Sequence, residues 1–352
     1  MFRTPLLSDF AADLAKLDRL QRELGERVAL ETPWVRRFRA RARTAAVSAS
    51  LALDGVRVRL DASEALEGGR GAAGDEDQRV VASTALALRH VGVLAGDPAL
   101  RWTDRLLLDL HFEACSSEPM ARPGRWREEA VHGSEAASYR GPEAVRVQEL
   151  TGVVLEWLDV GSPRVPPVVR GALAHLNLVS IQPFSGRNGR LALIVQSLAI
   201  AQGGVLPPEL GSIEAALARD PRAYAEALRE ARGESYQTQR SAAPWLAFCV
   251  DAHLTLTRER LDQLDEAARR WTLLDVFMER RGWPQRLTVA LEQSLSATVD
   301  RASYTAETDV SPATASGDLR RLLDAGLLDS EGRGRNTRYR ATDTLRRMVR
   351  EG

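Results

Sequence analysis

Between Ile181 and Leu193 the chain reads IQPFSGRNGRLAL, which gathers Pro183, Phe184, Gly186, Asn188, Gly189 and Arg190 within eight residues. Proline and glycine stop the helical pattern before this stretch, and the apolar run LALIVQSLAI begins another after it. A turn that opens a helix leaves its first backbone N–H groups unpaired at the positive end of the helix dipole. Such a turn suits an anion, phosphate above all. Many glycine-rich helix starts are only tight turns, and the turn chemistry by itself leaves both readings open.

Two apolar helices must position that turn: VVRGALAHLNLVSIQ leads into it and a helix over 190–203 leads out. His175 lies seven residues before Gln182, about two turns or roughly 10 Å of rise. It shares a face with Gln182 but is too distant for direct proton transfer at the turn, so a packed core histidine is expected. Upstream, residues 8–30 place Phe10, Leu14, Leu17, Leu20 and Leu24 at three- and four-residue spacing, which predicts an amphipathic helix from Ser8 or Asp9. A second helix follows Pro33, and Arg36, Arg37, Arg39, Arg41 and Arg43 on its first half could touch a phosphate backbone but read first as a solvated face. Residues 67–77 are small, polar and glycine-rich, the composition of a mobile loop. Helical patterns resume at about 78–94, 103–115 and from 145, and after the turn over 212–231 and from about Pro244 to Leu264.

At 352 residues the chain is long enough for two or three domains. Forty-eight basic and 48 acidic residues balance, which excludes a global bias toward nucleic acid. Cys115 and Cys249 are the only cysteines, so neither a disulfide framework nor a zinc site is implied. No secretory signal and no bilayer-spanning apolar run is present; the expectation is a cytoplasmic protein without a membrane partner.

Residues 271–350 form a different unit. WTLLDVFMERRGW and PQRLTVALEQSL read as two helices, and the stretch from Tyr304 to Thr342 as helix, turn, helix and a two-strand wing. Ser311 is a good N-cap with Pro312 at the first helical position, and Gly326 ends the helix. Thr314, Leu319, Leu322 and Leu323 mark its buried side, while Thr314, Ser316, Asp318, Arg320 and Arg321 are what it offers to DNA bases. Arg333, Arg335, Arg338 and Arg340 follow on the glycine-rich wing. Residues 332–352 carry seven arginines against two acids, a net charge of five suited to phosphate contacts. The unit resembles a winged helix-turn-helix, whose other uses are dimerisation and intramolecular docking.

The turn itself resembles the signature of the Fic (Fido) family, His-Pro-Phe-x-Asp/Glu-Gly-Asn-Gly-Arg-x-x-Arg. Pro183, Phe184, Asn188, Gly189 and Arg190 match in register. Gln182 stands at the histidine, Gly186 at the acidic residue, Arg187 at the first glycine and Leu193 at the last arginine. Ser50, Asp54 and Gly55 fit the family's inhibitory-helix pattern, Ser/Thr-x-x-x-Glu-Gly/Asn, with Asp in place of Glu. Its usual ion pair with the last arginine is impossible here, because Leu193 has no charge. The segment 123–145 resembles the family's Pro-Gly-x-x-Arg element and its hairpin flap, with Trp126, Arg127, Val131 and Tyr139. Tyr224 and Leu228 are similar to a Tyr-x-x-x-Leu element.

This resemblance implies a mainly helical protein: N-terminal helices over 1–60, a Fic core with a short hairpin flap over 61–265, and the winged helix over 266–352. Active members transfer a nucleotide phosphoryl group, usually AMP from ATP, to a protein hydroxyl. By resemblance the signature histidine is the base, the acidic residue acts through Mg²⁺, and the turn stabilises the phosphates. Gln182 has no useful proton-accepting pKa, and losing a general base costs about 10²–10⁴ in rate. Gly186 supplies no carboxylate, so Mg²⁺ is not expected. Arg187, Asn188, Gly189 and Arg190 remain to hold ATP, another nucleotide or a simpler anion, with no catalytic residue assigned. The expectation is a non-AMPylating regulator that binds DNA and pairs with a protein partner or with a second copy of itself. The alternative is a divergent adenylyltransferase that uses Arg187 and Arg190 as electrophiles.

Overall fold

The periodicities of the sequence become helices almost throughout. A computed structural model describes residues 1–57, 76–130, 139–160, 165–332, 334 and 337–351, and is mainly helical with one small antiparallel sheet. The chain divides into two compact units, Met1–Ala29 with Arg41–Arg260 and Leu30–Ala40 with Leu261–Gly352.

In chain order the helices run α1 (Ala11–Val28), α2 (Pro33–Leu53), α3 (Glu76–Ala95), α4 (Asp104–Cys115), α5 (Val147–Asp159), α6 (Pro167–Ile181), α7 (Asn188–Ala201), α8 (Pro208–Gly211), α9 (Glu214–Arg219), α10 (Pro221–Arg232) and α11 (Ala243–Arg280). The first unit is built around α6 and α7. Every residue of α6 from Gly171 to Ile181 and of α7 from Arg190 to Ala201 is buried, as an apolar surface on all faces of a helix requires. Gly171 sets their spacing: a Cβ there would lie 2.9 Å from the Gln196 carbonyl oxygen, closer than packed atoms allow.

Several elements differ from the sequence reading. A 3₁₀ turn at Leu7–Phe10 takes up Ser8 and Asp9, so α1 starts at Ala11. Glu76 and Asp77 already belong to α3, and the rest of the glycine-rich segment lies outside the described residues. Arg37 is not on a solvated face: its guanidinium pairs with Glu307 at 2.5 Å and with Glu292, and lies 5.5 Å over the Trp271 ring. Most notably, α11 runs unbroken through Leu264 and takes in WTLLDVFMER, because neither proline nor glycine falls between Pro244 and Gly282.

The second unit continues with α12 (Leu287–Ser294), β1 (Val299–Asp300), α13 (Arg301–Thr308), α14 (Pro312–Asp324), β2 (Leu328–Glu331), β3 (Arg338–Ala341) and α15 (Asp343–Glu351). The strands lie in the order β1-β3-β2, all antiparallel, with Val299 opposite Tyr339 and Leu328 opposite Ala341. Ser311 caps α14 by accepting the Thr314 N–H at 3.1 Å, and Gly326 follows the helix at φ +67°. Ala315, Asp318, Leu319 and Leu322 form the buried stripe of α14. Thr314 sits one residue off that stripe, about 100° around the helix, and is exposed rather than buried. Asp318 turns inward instead of outward, since Arg286 at 2.7 Å and the Tyr304 hydroxyl at 3.1 Å donate to its carboxylate.

Candidate functional site

The turn from α6 to α7 is held open by two residues in the left-handed region. Gln182, at φ 51°, ends α6 by donating its N–H to the Leu178 carbonyl at 2.9 Å, and Arg187, at φ 58°, precedes α7. Neither is glycine, so each conformation costs about 1–2 kcal/mol. Three residues hold them there. The Asn188 amide accepts the Phe184 N–H and donates to the Phe184 carbonyl, both at 2.9 Å, and so closes the loop on itself. Arg127 donates to the carbonyls of Gln182 (2.6 Å), Pro142 (2.5 Å) and Ile181 (3.3 Å), clamping the end of α6. Phe184 is fully buried, stacked on His111 at 3.8 Å and on Trp126 at 5.3 Å between ring centroids.

His111 had no motif to mark it in the sequence. Its Nδ1 accepts the Gly124 N–H at 3.0 Å, which leaves the proton on Nε2 to be donated to the Gly186 carbonyl at 3.1 Å. Burial pushes its pKa down to about 4, so it is neutral and serves as a strut for the turn. Cys115, buried nearby, has its pKa pushed up to about 12 by the same burial and is a thiol rather than a nucleophile.

The charges at the turn are already paired. Arg190 lies in the first turn of α7 with a fully buried side chain; it reaches Asp54 at 2.7 Å and Glu118 at 2.5 Å. Arg187 donates its Nε to the other oxygen of Glu118 at 2.6 Å. Burial alone would lower the Arg190 pKa, but Asp54 and Glu118 offset it and hold the group above its ordinary value. Burial raises the Asp54 carboxyl against the pull of Arg190 and Arg187, and the neighbouring Glu118 charge adds a little in the same direction. Two arginines and two carboxylates thus cancel.

No pair forms between Asp54 and Leu193, which is buried in the core, yet Asp54 does reach the signature. Its partner is Arg190, three residues earlier on α7 and therefore on the same face. By sequence Asp54 faces only the uncharged Leu193 position, which hides the Arg190 pair. Glu118 is hidden altogether: it stands just past α4 beside Pro119, with neither type nor spacing to flag it. Ser50 is buried on α2, and Gly55 ends that helix at φ +81°.

At the positions that carry family chemistry, Gln182 is half-buried with its carbonyl held by Arg127. Gly186 has room for a side chain, since a Cβ would lie 3.5 Å from Ala121, an ordinary contact. A Cβ at Gly189 would meet nothing within 4 Å, so the mouth of the turn is open there. A magnesium nucleotide does not fit the residues present: position 186 lacks the carboxylate, and Asp54 and Glu118 are committed to arginines. Among the described residues no group of three or more His, Cys, Asp and Glu side chains is placed to hold a metal.

Of the flap, Val131 and the tip fall in residues 131–138, outside the described residues. Trp126 instead bridges to Phe184, and the Tyr139 hydroxyl donates to the Ser180 carbonyl at 2.9 Å. His175 is fully buried, hydrogen-bonded through Nε2 to the Tyr224 hydroxyl at 3.0 Å, with a pKa pushed down to about 3 by burial. In the second unit Thr314, Ser316, Arg320, Arg321 and Arg338 are all exposed, whereas Arg333 and Arg335 lie outside the described residues.

No family model matches the chain. Over 109 residues, 31% of this chain and 21% of the relative, it is 29% identical to the protein adenylyltransferase fic-1 of Caenorhabditis elegans, and so spans about a fifth of that curated relative's length. Among solved structures, a Fic family protein from Desulfovibrio desulfuricans matches with a TM-score of 0.57 at 19% identity, covering 94% of this chain and 96% of that one. A Fic domain-containing signalling protein from Bacteroides thetaiotaomicron gives 0.57 at 15% identity, over 72% and 98% of the two chains. A fragment of C. elegans Fic-1 gives 0.51 at 18% identity, over 72% of each. Among the described residues no helix is long and apolar enough to cross a membrane. On these likenesses the chain has the fold of the Fic proteins.

Proposed function

We propose that this chain is a Fic-fold protein that does not transfer AMP and that regulates through DNA bound by a winged helix-turn-helix in its second unit. What carries the reading is the turn itself. The residue at the base position cannot take a proton, the residue at the metal position has no carboxylate, and Glu118 and Asp54 neutralise the two arginines left for phosphate. A nucleotide or other anion reaches Arg187 and Arg190 only by displacing those carboxylates, and Asp54 would act as a brake from the inhibitory-like segment of Ser50, Asp54 and Gly55.

The DNA-binding half is supported by the order of helix, strand, helix, helix and hairpin, and by the exposed Arg320, Arg321 and Arg338 on α14 and β3. Thr314 and Ser316 share the exposed side of α14, and Arg333 and Arg335 belong to the same basic segment of sequence.

Incubation with α-labelled ATP and Mg²⁺ or Mn²⁺, read by intact mass of the chain, should give no covalent AMP; self-modification at a protein hydroxyl would establish the adenylyltransferase reading instead. In a gel shift on genomic fragments we expect salt-sensitive binding that Arg320→Ala and Arg338→Ala weaken. Binding that is absent, or indifferent to both substitutions, overturns the DNA-binding half.

A further inference from the structure

The second unit carries an open groove of about 1270 Å³ between the C-terminal part of α11 and α15. Leu273, Phe277, Leu295, Met348 and Val349 line it without being fully buried, and Val276 at its lip is 39% exposed. Along α11 the lining residues Glu266, Arg269, Leu273, Val276 and Arg280 follow a three-four-three-four spacing. That spacing keeps one stripe of a helix turned toward a neighbouring helix.

We propose that this stripe is where a second copy of the chain docks, α11 against α11, antiparallel about a two-fold axis at Leu273. In a symmetric pair of this kind residue i meets j and j meets i, so the charges of the stripe must complement their own reversal. These do. Glu266 stands seven residues before Leu273 and Arg280 seven after, so each Glu266 falls opposite the Arg280 of the other copy. Nearer the centre, Arg269 and Phe277 stand four residues before and after, so the methylene stem of each Arg269 covers Phe277 of the other copy, and Leu273 meets Leu273.

A parallel pairing would set Glu266 on Glu266 and Arg280 on Arg280, so the charges also select the direction. Glu266 now bonds within its own helix, to Arg269 at 2.9 Å and Arg270 at 3.5 Å. Such partly exposed i, i+3 and i, i+4 pairs are weak enough to exchange for the contacts of a dimer. The inference is independent of the reading of the turn and of DNA binding.

Sedimentation equilibrium on the full chain tests it through a charge swap. The unaltered chain should associate as a dimer. Glu266→Arg alone sets arginine against arginine, Arg280→Glu alone sets glutamate against glutamate, and each should weaken association at least tenfold. An equal mixture of the two variants should regain a dimer of mixed composition, because every pair is then opposite in sign. Unchanged circular dichroism of each variant shows that it is folded. A chain that stays monomeric throughout, variants as dimeric as the original, or a mixture that fails to reassociate each overturns the proposal, including in favour of a different partner helix in the groove.

Discussion

Replacing Glu118 with glutamine takes from Arg187 and Arg190 the carboxylate they share. Removing one partner of a buried ion pair costs about 3–5 kcal/mol, and the lower end applies here because Arg187 keeps about a third of its side chain exposed. Urea denaturation of Glu118→Gln should show that loss. The same variant should gain a response the original chain lacks: pyrophosphate, supplied without metal, would raise its melting temperature by filling the vacated charge. If both chains respond alike, Glu118 is not the internal counter-ion of the turn. Asn188→Ala removes both hydrogen bonds to the Phe184 backbone and leaves a buried N–H and carbonyl without their partner. The cost should be about 2 kcal/mol, measured in the same titration.

Helices α4, α6 and α11 each place one histidine in the first unit with a depressed pKa: His111 at about 4, His175 at about 3 and His253 at about 3, all through burial. In the unfolded chain these groups take up protons near pH 6.5, and in the folded chain only near 4 or below. Stability is therefore complete above pH 6.5 and lost as pH falls toward 4. Each histidine contributes about 1.4 kcal/mol per pH unit over that interval. The urea midpoint should fall steeply from pH 6.5 to 5; a flat profile would mean that these rings are hydrated. Periodicity made most of the helices legible, along with the capping of α14 by Ser311 and Pro312. The length of α11 was not legible, since the sequence pattern places the end of that helix at Leu264 and a domain boundary beside it, although nothing there can end a helix. Nor were the ion pairs of the turn. Asp54 and Arg190 are 136 residues apart, and their meeting depends on how α2 and α4 pack against α7.

For the whole molecule, zero net charge conceals a local excess of five over residues 332–352. On the proposed DNA-binding reading, affinity should depend on a small footprint rather than on the long-range field of the protein. In a salt titration of DNA binding, Arg338→Ala should lower the slope of log K against log salt by about one, and a slope that does not change would place Arg338 off the phosphates. A dimer through α11 would further require two half-sites related by a two-fold axis, which a footprint can read.

The α6–turn–α7 hairpin has a further consequence. Phe184, Asn188 and Arg190 sit at the junction of the two most buried helices, where they close the loop and anchor its ends. Their backbone amides should be among the slowest in the chain to exchange with deuterium, since exposing them means opening the core. A protein of this build keeps those three residues in order to fold, whether or not it turns over a substrate. Their presence therefore reports on foldability, and the identity of residues 182 and 186 reports on chemistry.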